Sequence, residues 1–135
     1  MGCDIHLHGE VKIDGKWLHY SQPRIPRSYR LFTKMANVRS YDEEIEPICL
    51  PRGLPEDLSE MTAFEAEHWG SDGHSHSWLG SEEIQELEEW LSGIHRHRFA
   101  PWDYLFSNTW GGFHRYRQEF PKQLEDIRFV FWFDN

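Results

Sequence analysis

Hydrophobic and polar residues alternate at the start of the chain, which is the pattern of a β-strand with one buried face. The apolar positions share one face: Cys3, Ile5, Leu7, Val11 and Ile13. The opposite face carries the polar positions: Asp4, His6, His8, Glu10 and Lys12. We therefore predict a strand that presents a row of carboxylates and imidazoles, which suits a polar functional site.

The first strand runs into a sequence typical of a tight hairpin turn. Asp14-Gly15 favours a two-residue turn between antiparallel strands. Such a turn places Lys12 opposite Trp17 and Glu10 opposite His19, so that His19 joins the polar face. This prediction depends on the register, because a shift by one residue would move His19 to the other face.

The end of the chain predicts a second long strand. The segment from Ile127 to Asn135 is largely apolar on both faces, which is typical of a central strand rather than an edge strand. We expect this strand to lie beside the first one. That arrangement would bring Asp134 towards the polar face of the first strand.

Capping residues and apolar spacing predict the helices. Three helices begin at a polar cap: Ser28 to about Asn37, Asp57 or Ser59 to about Trp69, and Ser81 to about Ile94. A shorter helical piece is predicted at 114–120. The remaining segments are predicted to be irregular: an ordered loop at 42–55, a polar loop or short edge strand at 71–80, and an aromatic stretch at 99–113 with a turn at Gly111-Gly112.

Together these elements predict an α+β fold in a single domain, residues 1–135. An antiparallel sheet is built from the N-terminal hairpin and the C-terminal strand. About three helices pack on one face of this sheet. The chain shows no internal repeat and no low-complexity segment.

Composition narrows the setting and the partners. The net charge of −9 argues against a general nucleic-acid binder, which needs a basic face. Two cysteines form no disulfide framework, and we expect a reduced, cytoplasmic setting. The sequence also lacks an apolar run of membrane-spanning length, so we expect no membrane partner. Whether the chain forms a homo-oligomer stays open.

Two His-x-His pairs make a metal site one candidate for the chemistry. Asp4, His6 and His8 share a strand face, and His74 and His76 lie in the second predicted loop. Four imidazoles with a carboxylate suit a divalent metal such as zinc or manganese, which can activate water to attack a phosphoester. The alternative is that these side chains only hydrogen-bond to their neighbours.

Arginines near the N-terminus make an anion pocket the other candidate. Arg24, Arg27 and Arg52 can grip phosphate through their guanidinium forks, and Trp78 can stack on a base. His19 and the histidines of the two His-x-His pairs would complete this pocket. The alternative for each arginine is an internal salt bridge to one of the many carboxylates.

Five short motifs spread over the chain resemble a family of small uncharacterised bacteriophage and bacterial proteins. The matching segments are MGCDIH at 1–6, YRLF at 29–32, PRGLP at 51–55, HSHSWL at 74–79 and FWFDN at 131–135. The resemblance implies an intracellular setting. For a phage-borne gene it also implies an accessory role in host physiology or defence. It implies no activity, cofactor or catalytic residue.

Three functional hypotheses follow. The leading hypothesis is that the protein binds a small anionic, nucleotide-like ligand. Such binding could sequester a host defence signal. The second is a metal-dependent phosphoesterase that uses the His and Asp cluster. The third is an acidic protein that binds and blocks a host protein. No serine-hydrolase, P-loop or dinucleotide-binding motif occurs in the sequence.

Overall fold

The computed structural model describes residues 2–94, 111–119 and 123–135. Within them, the chain forms a four-stranded antiparallel sheet with the strand order β2-β1-β4-β3. The strands are β1 Asp4–Ile13, β2 Lys16–Ser21, β3 Gly73–Gly80 and β4 Asp126–Asp134. The predicted α+β class is confirmed, and so is the antiparallel sheet.

The N-terminal hairpin has the predicted register. Lys12 pairs with Trp17 and Glu10 pairs with His19. Asp14 and Gly15 both have positive φ, 52° and 73°, which is the backbone that a type I′ turn requires. A bulge at Gly9/Glu10 interrupts the ladder, and β2 ends at Ser21. Consequently the first half of β1 has β4 on one side and none of the described strands on the other.

The C-terminal strand lies in the middle of the sheet, as predicted. β4 pairs with β1 along its whole length, from Lys12 opposite Asp126 to Asp4 opposite Asp134. Its side chains are largely apolar on both faces because both faces are covered. Helices of the core cover one face, and a further helix with the stacked rings around Trp132 covers the other. The segment predicted as a polar loop or short edge strand is β3, an eight-residue edge strand with a bulge.

The described residues form four α-helices: α1 Tyr29–Ala36, α2 Glu60–Trp69, α3 Ser81–Ile94 and α4 Gly111–Glu119. The Ser28 hydroxyl caps α1 and the Ser59 hydroxyl caps α2, each by accepting from a backbone N–H of the first turn. A 3₁₀ turn at Gly70–Asp72 follows α2. The predicted turn at Gly111-Gly112 is wrong, since these glycines begin α4.

One face of the sheet carries the hydrophobic core. The buried cluster takes Ile5 and Leu7 from β1, alternate phenylalanines from β4, and side chains of α1, α3 and α4 such as Phe32, Leu87 and Phe113. The prediction of about three helices on one face is therefore confirmed. Most of the predicted aromatic segment at 99–113 lies outside the described residues.

Helix α2 lies on the opposite, polar face of the sheet. Its Trp69 contacts His6, and the Ser59 N–H that precedes it donates to the Glu10 carboxylate. Thr62 is its one buried residue. The segment 42–55 contains no helix or strand, as predicted for a loop. None of the described helices combines the length and the apolar character needed to cross a membrane.

Candidate functional site

The polar side chains of β1 lie in a row on the face opposite the core, and each has a different partner. Asp4 begins the row at the sheet surface, where its Oδ1 accepts from Arg27 Nε at 3.0 Å. Both side chains are about half exposed. The hydrogen bond to Arg27 holds the pKa of the Asp4 carboxyl below its usual value. Asp4 is therefore part of a surface ion pair.

His6 lies between a carboxylate and an indole. Its Nε2 is 2.8 Å from Asp134 Oδ1, and its ring centroid is 4.1 Å from that of Trp69. The antiparallel pairing of β1 with β4 brings Asp134 beside the polar face, as the sequence predicted. The contact fixes the orientation of the imidazole.

His8 is fully buried and contacts a second imidazole. Its Nδ1 is 3.0 Å from His19 Nε2, so His19 joins this face as predicted. Burial lowers the pKa of His8 to about 4, and repulsion from His19 adds to the effect. Burial also lowers the pKa of His19. Both rings are therefore neutral at pH 7, with one donating to the other.

Trp132 of β4 connects the histidines of this face. Its indole is roughly parallel to the rings of His6, His8 and His76, with centroid distances of 6.1, 5.3 and 6.0 Å. Trp132 Nε1 and His8 Nε2 are buried and have no hydrogen-bond partner among the described residues. The sequence did not indicate this cluster. The apolar residues of the last strand predicted only that both of its faces are buried, not that Trp132 contacts three histidines.

A buried ion-pair network continues the row. Glu10 Oε1 accepts from Arg128 Nε at 2.8 Å, and Arg128 Nη1 donates to Asp57 Oδ1 at 2.8 Å. The Arg128 guanidinium also lies 4.0 Å from the ring centroid of Trp17. Sequence reasoning missed this network. The sequence feature that could have indicated the network is Arg128, the charged residue within the apolar run of the last strand.

The second His-x-His pair is divided between two environments. A bulge interrupts β3 after His74, and Ser75 has a φ of 54°. His74 Nε2 lies 3.0 Å from Asn135 Oδ1, whereas His76 turns to stack on Trp132. Burial lowers the pKa of His76. Two residues apart on a regular strand the rings would share a face, and the extra residue of the bulge changes that.

The predicted metal set does not gather around one point. Asp4 pairs with Arg27, His6 with Asp134, and His8 with His19, while His74 and His76 are separated by the bulge. Across the described ranges, no group of three or more His, Cys, Asp or Glu side chains is arranged to hold a metal ion.

The three predicted phosphate-binding arginines lie apart. Arg24 lines a cleft beside β1, and Arg27 pairs with Asp4. Arg52 forms a bidentate pair with Glu83 and stacks over Trp78, 4.6 Å from the ring centroid. Arg52 also donates to the Trp78 carbonyl of β3, whereas Arg24 lies beside β1, and β4 lies between these two strands.

Three clefts open beside the polar face, and their linings differ in charge. The edge cleft, about 410 Å³, follows the unpaired half of β1: Ile5, His6, Leu7, Gln22, Pro23, Arg24 and Ile25. The tryptophan cleft, about 370 Å³, includes Trp17, Pro55, Asp57, Trp78, Asp126 and Arg128. The helix cleft, about 670 Å³, lies between β2 and the start of α2 and includes Lys16, His19, Asp57 and Glu60. The edge cleft has no carboxylate in its lining.

Comparison with known proteins adds no assignment to these clefts. No family model, curated protein or solved structure matches the chain.

Proposed function

We propose that the protein binds a small anionic, nucleotide-like ligand in the edge cleft. The supporting observation is the charge of the lining, which contains the guanidinium of Arg24 and no Asp or Glu. Such a lining stands out in a chain of net charge −9. The tryptophan cleft and the helix cleft each include at least two carboxylates, which would repel an anion.

Arg24 is the group that contacts the anion in this proposal. Its side chain is exposed, and within the described residues it forms no ion pair that would compete with a ligand. A guanidinium donates two parallel hydrogen bonds to a phosphate or carboxylate. Arg27 is paired with Asp4, which directly precedes the cleft residue Ile5, so this ion pair adds no net charge beside the cleft.

The strand edge supplies further donors. Among the described residues no strand pairs with the outer edge of β1 beside Ile5, His6 and Leu7, and in this proposal backbone N–H groups on that side donate to the bound molecule. The His6 ring is held in place by Asp134 and Trp69. The volume of about 410 Å³ lies within the range of small-ligand sites. Pro23 and Ile25 offer an apolar surface for a base.

A phage-type accessory protein with this property would sequester a host signalling nucleotide, and this is the biological role that we propose. Capture rather than turnover is the simpler use of the cleft, because a guanidinium and backbone donors bind an anion without activating water. The resemblance of the sequence to phage proteins supports the setting and the cleft supports the ligand class.

A nucleotide panel with two arginine variants tests the proposal. Thermal-shift screening of cyclic and linear nucleotides should find a ligand that stabilises the protein, by about 2.7 kcal/mol at a hundred times its Kd. Arg24→Gln should weaken that ligand by roughly tenfold or more, the loss expected for a charge-assisted hydrogen bond. Arg30→Gln is the matched control, because Arg30 is also exposed but pairs with Asp42 outside the cleft.

Two results would overturn the proposal. The first is a panel in which no nucleotide, and no inorganic phosphate, shifts the melting curve. The second is a ligand whose affinity survives Arg24→Gln but is lost in Arg52→Gln, since that ligand would bind at the Trp78 side of the sheet.

A further inference from the structure

The tryptophan cleft has the opposite chemistry to the edge cleft and is separate from it. We propose that it binds a planar cation of the guanidinium class. The cleft lies near the end of β4 that carries Asp126, whereas the edge cleft follows the part of β1 that pairs with the Asp134 end. The inference does not depend on the anion site.

Aromatic walls define the shape of the ligand. Trp17 belongs to β2 and Trp78 to β3, so the two indoles approach the cleft from opposite edges of the sheet. Pro55 adds apolar surface, and the lining is mainly apolar. Flat rings favour a flat ligand that stacks against them. A volume of about 370 Å³ admits a small group or a single side chain.

Both indoles already stack on guanidinium groups of the protein. Arg128 lies 4.0 Å from the Trp17 centroid, and Arg52 lies 4.6 Å from the Trp78 centroid. Indole is the aromatic ring that binds cations most strongly. Each internal arginine is held by carboxylates as well: Arg128 by Glu10 and Asp57, and Arg52 by Glu83. These two indoles line the cleft together with the carboxylates Asp57 and Asp126.

The charge of the lining selects a cation. Asp57 and Asp126 are in the lining, and the positive charge of Arg128 is matched by the buried Glu10 behind it. The hydrogen bond from Arg128 holds the pKa of Asp57 below its usual value, so the carboxylate is ionised at neutral pH. Its side chain is 67% exposed, and carboxylate oxygens accept more than one hydrogen bond each. A guanidinium can donate hydrogen bonds to the carboxylates and stack on the indole rings.

Titration with arginine amide tests the site directly. Calorimetry at low ionic strength should show saturable binding of arginine amide, binding of lysine amide at least fivefold weaker, and no binding of citrulline amide, which has nearly the same shape but a neutral urea group in place of the guanidinium. Asp126→Asn should weaken arginine amide at least fivefold. Asp72→Asn is the control, because Asp72 is an exposed carboxylate outside this cleft.

The source of the guanidinium is decided by a second ligand. Binding of an acetylated Gly-Arg-Gly amide as tight as that of arginine amide would assign the site to an arginine carried by a polypeptide. Binding of arginine amide alone would assign it to a free small cation. Absence of saturable binding, equal binding of the citrulline compound, or an unchanged affinity in Asp126→Asn would each overturn the proposal.

Discussion

The buried ion pair between Glu10 and Arg128 makes a quantitative prediction about stability. Glu10 is fully buried and accepts two hydrogen bonds, from Arg128 Nε at 2.8 Å and from the Ser59 N–H at 2.9 Å. The substitution Glu10→Gln keeps the shape and an acceptor oxygen but removes the charge. It therefore leaves the Arg128 guanidinium, whose side chain is 7% exposed, with Asp57 as its remaining counter-charge.

The expected loss in the free energy of unfolding depends on how deeply the group that loses its partner, the Arg128 guanidinium, is buried. Removing one member of a buried ion pair costs about 3–5 kcal/mol, and the remaining Asp57 contact places Glu10→Gln at the lower end, about 3 kcal/mol. Asp57→Asn removes the exposed partner of the same arginine. It should cost about 1 kcal/mol or less, because a solvent-screened pair contributes little. For a chain of this size, about 3 kcal/mol corresponds to roughly a 10 °C fall in Tm.

Urea unfolding followed by tryptophan fluorescence measures both variants. The double variant Glu10→Gln/Arg128→Met removes both charges and should cost less than the sum of the single substitutions, because no buried charge is left unpaired. A loss below 1 kcal/mol for Glu10→Gln, or equal losses for Glu10→Gln and Asp57→Asn, would refute the assignment of this pair as a buried, mutually dependent unit.

Two further predictions concern the same face. Burial lowers the pKa of His8 from 6.5 to about 4, so between these pH values the unfolded chain binds more protons than the folded protein. The free energy of unfolding should therefore fall as the pH drops through this range, by roughly 3 kcal/mol in all. Urea unfolding at several pH values should show this dependence, and His8→Gln should remove most of it. Gly73→Ala should destabilise by about 1–3 kcal/mol, because its Cβ would lie 3.2 Å from Trp132 Cδ1 and 3.3 Å from His76 Nε2. The helical control Gly93→Ala meets no atom within 4 Å and should stabilise by about 0.5–1 kcal/mol; equal effects of the two substitutions in urea unfolding would contradict the packing argument.

The parts of the fold that depend on local chemistry were predictable from the sequence. The alternation in β1 fixes which side chains share a face, and Asp14-Gly15 fixes the hairpin register that brings His19 to His8. Ser28 and Ser59 cap helices because their hydroxyls accept N–H groups of the first turn. Pairing of the two long strands then placed Asp134 beside His6.

The parts that depend on contacts between distant segments were not predictable. The bulge in β3 separates His74 from His76, and its position does not follow from a period-two pattern. The partners of Arg27 and Arg52 lie 23 and 31 residues away, so the sequence could not show that Asp4 and Glu83 already bind them. Arg24 is distinguished from these two arginines only by its position beside the half of β1 that does not pair with β2.

The centre and the margins of the polar face therefore have different roles. At the centre, desolvation keeps His8 and His19 neutral, and the buried guanidinium of Arg128 is matched by the buried Glu10 carboxylate. A charged ligand gains little from such a surface, because its groups are either discharged or already paired. At the margins the charges are exposed and uneven, positive at the edge cleft and negative at the tryptophan cleft. Recognition of charged molecules is thus expected at the two clefts, and not at the histidine and tryptophan stack in the centre of the polar face.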